Sequence, residues 1–129
     1  MKRTVLEDCR RSLAEVGLES KAARTTSELS YGDKRMLELA MAFSLKPKLL
    51  LLDEPLSGLS DHEIADVVAL LNRVKRNFAV VIIEHKISKI LDLVGRLCVM
   101  NDGRMICEGP PSEVLGDSRV RECYWGKEA

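Results

Sequence analysis

Apolar residues recur at Val5, Leu6, Cys9, Leu13 and Val16, spacings of three and four that place them on one stripe of a helix, and Gly17 is positioned to end it. A polar stretch, residues 19–28, separates this helix from the next. Ser30 is an N-cap candidate for a second helix over residues 31–45, where Met36, Leu37, Leu39, Ala40 and Phe43 cover more than half the girth. That helix is expected to be largely buried. Lys46-Pro47 stops it, and the continuous apolar run at 49–52, ending in Asp53-Glu54-Pro55, suits a strand covered on both faces of a parallel sheet. Ile64, Val67, Val68, Leu71 and Val74 predict a third helix with Asp61 as its cap. Residues 78–83 predict a second strand that ends in Glu84-His85, followed by a short helix built on Ile87, Ile90, Leu91 and Val94. The succession of strand, helix, strand and helix predicts an α/β fold with parallel strands and flanking helices.

Residues 96–100 and 104–108 flank Asn101-Asp102-Gly103, a hairpin signal because Asp-Gly accepts the positive φ angles of a type I′ turn. With Asp102-Gly103 as the turn, Cys98 falls opposite Cys107. Such facing thiols could bridge under oxidation, but a cytosolic chain is expected to keep them reduced. Pro110-Pro111-Ser112 starts a further short helix, and Tyr124 and Trp125 are the late aromatics, the burial of Trp125 deciding between a structured tail and a docking peptide. No internal repeat or low-complexity segment interrupts the chain.

A chain of 129 residues with 46% hydrophobic content is long enough for a single domain, read as residues 1–129. Twenty basic residues balance twenty acidic ones, so the electrostatic footprint of a nucleic-acid binder is missing and no nucleic-acid partner is expected. The four cysteines show no Cys-x-x-Cys spacing, and His62 and His85 do not pair with them as zinc ligands. The N-terminus is no secretory h-region and no apolar run approaches the roughly 18 residues of a membrane span. A soluble, cytoplasmic chain is therefore expected, one that serves a membrane only by docking on a partner.

Candidate chemistry concentrates at the strand ends. Asp53 and Glu54 fall where open α/β sheets place ligands, outside the carboxyl ends of the strands, and two adjacent carboxylates can divide labour between a metal and a water. Ser30 and the backbone N–H groups near Gly32 form a potential anion site at the positive end of a helix. Ser57-Gly58-Leu59-Ser60 follows the carboxylates, and Glu84-His85 ends the next strand thirty residues further on.

Together these segments resemble the ATP-binding cassette (ABC) ATPases. Residues 29–33 match the family's signature motif, 49–54 its Walker B motif, 57–60 its D-loop and His85 its switch histidine, in the family's order and spacing. The resemblance runs from about Ser27 to the end and implies the C-terminal half of a P-loop NTPase fold. Residues 1–45 would then be the signature-helix region, and 46–129 the Walker B, D-loop, switch and hairpin region. It implies that Asp53 organises Mg²⁺, that Glu54 is the general base and that His85 contacts the γ-phosphate of ATP. Ser30, Tyr31, Gly32 and Asp33 would reach an ATP held by a second ATPase subunit across a dimer, with Ser57, Gly58 and Ser60 as the D-loop.

Three departures bear on those roles. Asp33 stands where a glutamine is usual, bringing a carboxylate toward a polyphosphate unless Lys34 or Arg35 offsets it. Ser60 replaces an aspartate, although Asp61 follows. No G-x-x-x-x-G-K-[S/T] loop occurs, since the single Gly-Lys pair, Gly126-Lys127, has Arg121 where the first glycine belongs. Without that loop the chain is expected to be inactive alone, and the family's sheet order implies an open edge on the 78–83 strand, inviting a homodimer or a swapped assembly. Within the family, the Leu-Ser-Tyr-Gly segment, the hairpin and the Tyr-Trp-Gly tail look most like the ATPase subunits of branched-chain amino-acid importers, held at the inner face of the membrane by permease subunits. The competing expectations are a non-hydrolysing or regulatory half-cassette and a soluble cassette ATPase outside transport.

Overall fold

Thr4 opens the first helix, α1 (Val5–Glu15), by a reciprocal cap: its hydroxyl accepts the Glu7 N–H at 3.3 Å while the Glu7 carboxylate accepts the Thr4 N–H at 2.9 Å. Gly17 follows at φ +74°, the left-handed turn expected of a terminating glycine. The structure, a computed structural model, describes residues 4–125; the Trp125 side chain lies outside the described residues, and with it the expected distinction between a buried and a free tail aromatic. The described residues fall into two units that divide between Lys86 and Ile87.

In the first unit α1 lies against α2 (Tyr31–Ser44), and two 3₁₀ turns, Glu19–Lys21 and Thr26–Glu28, connect them. The apolar stripe of α1 is open at its start, with Val5 80% exposed, and burial begins only at Val16 and Leu18. Gly32, Leu39, Ala40 and Phe43 of α2 are buried, but Met41 and Leu45 are exposed, so the helix is covered along one stripe rather than largely enclosed as expected. Phe43 anchors its end against Phe78, ring centroids 5.6 Å apart. Lys46 turns the chain at φ +48° into β1 (Leu49–Asp53).

β1 pairs in parallel with β2 (Ala79–Ile83), from Leu49 opposite Ala79 to Asp53 opposite Ile83. The parallel pairing is as expected, but cover on both faces is not. Side chains alternate across a sheet and paired residues share a face. Leu50 is buried, whereas Leu49, Leu51, Val81 and Ile83 share the other face at 51–68% exposure. The outer edge of β2 is unpaired among the described residues. α3 (Asp61–Val74) connects the strands and buries Ile64, Val67, Leu70, Leu71 and Val74. Its cap is Ser60, not Asp61. Ser60 has the extended backbone of an N-cap (φ −68°, ψ 163°), so its hydroxyl accepts the Glu63 N–H, while Asp61 is already the first helical residue.

The second unit departs from the expected helix after β2. Ile87–Lys89 forms a 3₁₀ turn, and the buried residues are Ile87, Ile90 and Leu93, spaced by the three residues of that tighter winding. β3 (Leu97–Asn101) and β4 (Arg104–Gly109) form the expected antiparallel hairpin, with Asp102 and Gly103 at φ +47° and +72°. A bulge between Val99 and Met100 shifts the register, placing Cys98 opposite Glu108 and Cys107 opposite Val99. The expected Cys98–Cys107 pairing is thereby lost, and the two thiols fall on opposite faces of the ribbon. α4 (Pro111–Val114) and α5 (Ser118–Trp125) follow, and Val99, Val114 and Val120 form the unit's core with Leu97, Ile106 and Cys107 packed on it.

Candidate active site

The carboxyl ends of β1 and β2 bring Asp53, Glu54, Glu84 and His85 to one place. The Glu54 N–H donates to the Ile83 carbonyl at 2.8 Å, adding one rung to the parallel ladder, and the Glu54 carbonyl accepts the Ser57 N–H at 3.1 Å. Between those bonds the backbone of Glu54 is left-handed, φ +45°. A side chain with a Cβ loses about 1–2 kcal/mol there, and a residue before proline ordinarily prefers extended backbone. Strain of this kind persists where the surroundings over-determine it. It leaves the Glu54 carboxylate half in solvent, 3.5 Å from Nδ1 of His85, which is itself 60% exposed.

Glu84 behaves differently from its neighbours. Its side chain is fully buried; Oε1 accepts the Leu56 N–H at 2.8 Å and Oε2 accepts the N–H groups of His85 and Lys86 at 3.1 and 3.2 Å. Sequence reasoning took Glu84 only as the charge that ends a strand. The signal that points to it is the alternation of β2: Val80 and Ile82 face the covered side, and Glu84 continues that side with a carboxylate.

The N-terminal end of α2 forms a second cluster. The Ser30 hydroxyl accepts the Asp33 N–H at 3.1 Å, and the Asp33 carboxylate returns to the Ser30 N–H at 3.3 Å. Lys21 donates to Asp33 at 2.6 Å, and this hydrogen bond holds the Asp33 carboxyl below its ordinary range. Arg35 pairs with Glu38 at 2.7 Å, and the cation that faces Asp33 is Lys21, from the connecting turn. Glu63 lies over Gly32, where a Cβ would meet its Oε1 at 2.2 Å. Its carboxyl is held low by the Ser60 N–H first, then by the Ser60 hydroxyl and the Gly32 N–H. In this conformation the Glu63 carboxylate already takes the Gly32 N–H and the Ser30 hydroxyl takes that of Asp33.

An open cleft of about 580 Å³ lies between the end of α1, the start of α2 and α3; it is lined by Ser30, Gly32 and Asp33 but by none of Asp53, Glu54 and His85. Residues 57–60 connect the two clusters: Ser57 bonds back to Glu54, the Tyr31 ring stands 3.0 Å from where a Cβ on Gly58 would lie, and Ser60 caps α3. Among the described residues no group of three or more His, Cys, Asp and Glu could hold a metal by itself. Asp53 offers a hard oxygen donor of the kind that suits Mg²⁺ when phosphates and waters complete its shell.

A family model described as "ABC transporter" matches residues 3–57, a stretch that holds both the Ser30 cluster and the Asp53-Glu54 pair. The high-affinity branched-chain amino acid transport ATP-binding protein BraF of Pseudomonas aeruginosa is 32% identical over 127 residues, 97% of this chain and 50% of that protein. The chain belongs to the ABC transporter ATPase family. A solved structure of an ATP-binding cassette of an ABC transporter, in its ADP conformation, superposes with a TM-score of 0.85 at 29% identity, over 98% of this chain and 52% of the other. The lipopolysaccharide export system ATP-binding protein LptB of Acidithiobacillus ferridurans is 30% identical over 115 residues, 88% of this chain and 48% of its own length. This ABC ATPase chain spans about half the length of the curated relatives it matches, and His85, beyond the segment matched by the family model, falls inside the alignment with BraF.

Proposed function

We propose that this chain forms the hydrolytic half of an ABC transporter ATPase subunit, residues 1–129 acting as part of one nucleotide-binding domain that couples ATP turnover to import. The observation that carries the reading is the strained Glu54 beside His85 at the ends of two parallel strands. In this reading Glu54 takes the proton that a water loses on attacking the γ-phosphate, and His85 donates a hydrogen bond to that phosphate. Asp53 supplies one oxygen to Mg²⁺. Mg²⁺ bound with ATP neutralises charge on the transferred phosphoryl group. No phosphate-binding loop occurs in residues 1–129, so that cradle lies outside them, and turnover by these residues alone is not part of the proposal.

The Ser30 cluster serves a second nucleotide across a dimer in the same reading, with Tyr31, Gly32 and Asp33 beside it and Ser57, Gly58 and Ser60 at the seam. Glu63 must then leave Gly32 before a phosphate can take the N–H it occupies. Transmembrane permease subunits are the proposed partners, holding the chain peripherally at the cytoplasmic face; no helix among the described residues is long and apolar enough to cross a membrane. The name of BraF supports branched-chain amino acids as the cargo, while LptB, at similar identity, is named for lipopolysaccharide export; the import reading rests on the longer alignment with BraF.

The test is complementation. The chain is mixed with a segment bearing the phosphate-binding loop, and phosphate release is followed with Glu54 intact and as Glu54→Gln. Loss of turnover by a factor of about 10² or more with nucleotide still bound is expected of a general base. Equal turnover in the two complexes would remove Glu54 from the chemistry.

A further inference from the structure

The proposed chemistry gives no role to Glu84, the residue before His85. Glu84 is 0% exposed at its side chain, and a carboxylate withdrawn from water persists only where hydrogen bonds replace its hydration. Three backbone N–H groups do so, those of Leu56, His85 and Lys86 at 2.8, 3.1 and 3.2 Å. None of the three lies in a helix or a strand. Leu56 follows Glu54 by two residues and is itself 0% exposed. Lys86 Nζ donates to the Leu56 carbonyl at 3.5 Å, so the same two segments are tied twice.

We infer that Glu84 is the positioning residue of this site, a buried clasp that joins the backbone beyond Glu54 to the backbone of His85 so that the two segments keep one separation and move together. The inference deepens the hydrolytic reading and rests on it for its catalytic meaning, whereas the clasp itself is made by this chain's own residues. Its chemistry is specific to a carboxylate of this length. Glutamine offers one acceptor oxygen and an NH₂ that donates, so Glu84→Gln can satisfy Leu56 or the His85-Lys86 pair but not both. Aspartate keeps the charge and shortens the reach by one methylene.

Nuclear magnetic resonance on the full chain tests this without nucleotide. In the wild type the amide hydrogens of Leu56, His85 and Lys86 should exchange slowly although no helix or sheet protects them; fast exchange at all three would overturn the inference with no variant made. In Glu84→Gln, exchange at Leu56 or at the His85-Lys86 pair should rise about tenfold, the factor expected for one lost buried hydrogen bond, while the amides of α3 keep their rates. The imidazole ¹⁵N resonances of His85 should move in Glu84→Gln; because Glu84 Oε2 itself stands 3.9 Å from His85 Nδ1, the shift must also appear in Glu84→Asp, which keeps the charge and changes only the reach. Unmoved resonances, or a rise in α3 as large as that at the clasp, would reduce Glu84 to a support of the fold. Failure of complementation with a phosphate-binding segment would leave these results in place, so the two readings fail separately.

Discussion

Replacing Glu54 by glycine should stabilise the fold relative to replacing it by alanine, and the amount follows from its backbone. At φ +45° a residue with a Cβ carries about 1–2 kcal/mol of left-handed cost, which alanine keeps and glycine sheds. Glycine gives back about 0.5–1 kcal/mol because its unfolded chain has more freedom to lose. The side chain itself adds little: Glu54 is 52% exposed, its contact with His85 is 3.5 Å long and His85 is 60% exposed, the setting in which ion pairs are worth about 0–1 kcal/mol. Glu54→Ala should therefore stay within about 1 kcal/mol of wild type, and Glu54→Gly should exceed Glu54→Ala by about 0.5–1 kcal/mol. Urea unfolding followed by circular dichroism, with a common m-value across the three proteins, reads the difference. A glycine variant less stable than the alanine variant would refute the reasoning, because the left-handed backbone would then not be what this position costs.

Ser60→Ala removes the cap of α3 and should lower stability by about 1 kcal/mol; an unchanged urea midpoint would mean that Asp61 can take over the cap. Asp33 has its carboxyl held low by the Lys21 hydrogen bond, so its contribution is present above the ordinary aspartate value of 3.8 and is lost as pH falls through the lowered one. Lys21→Met should then be less stable than wild type near neutrality and converge on it in acid; a gap that stays constant down to the acid transition would contradict the pairing. With Cys98 and Cys107 on opposite faces of the β3–β4 ribbon, peptide mapping after mild oxidation should find no bridge between them. Cys98, the more exposed of the two, should alkylate first, and a mapped 98–107 disulfide would disprove the bulged register.

Much of this was legible because it is local. Gly17, Ser30 and Asp102-Gly103 act through their own backbone preferences, and each does in the structure what its residue type predicts. The misreadings arise where a residue's role is set by something distant or by one inserted residue. The pairing of Cys98 and Cys107 failed because a bulge at Val99 and Met100 leaves no mark in the hydrophobic pattern. The stretch after His85 was read at the α-helical period, although its buried residues recur every three positions. Lys21 was missed as the partner of Asp33 because the two meet only after the 3₁₀ turns fold back, twelve residues apart. Of the candidate site, Asp53, Glu54 and His85 stand out as charges at strand ends, while the alternation of β2 puts Glu84 on the covered side but does not show that it holds the Leu56 N–H, 28 residues away.

The expectation that residues 49–52 are covered on both faces carries more information in its failure than the correct readings do. A continuous apolar run is the composition of a strand with two dry sides, and the described residues dry only one, around Leu50. On the open side Leu49 and Leu51 of β1 lie beside Val81 and Ile83 of β2. The same alternation places Asp53 at the end of β1 on that side and carries β2 through Ile83 to the exposed His85. The apolar stripe and the charged residues of the site are thus one surface. Whatever layer shields Leu49, Leu51, Val81 and Ile83 approaches Asp53 and His85 from the same direction. On the proposed hydrolytic reading, a segment that brings the phosphate cradle from this direction would bury the face as it docks, and the apolar area removed from water, at about 25 cal/mol per Å², would favour that assembly.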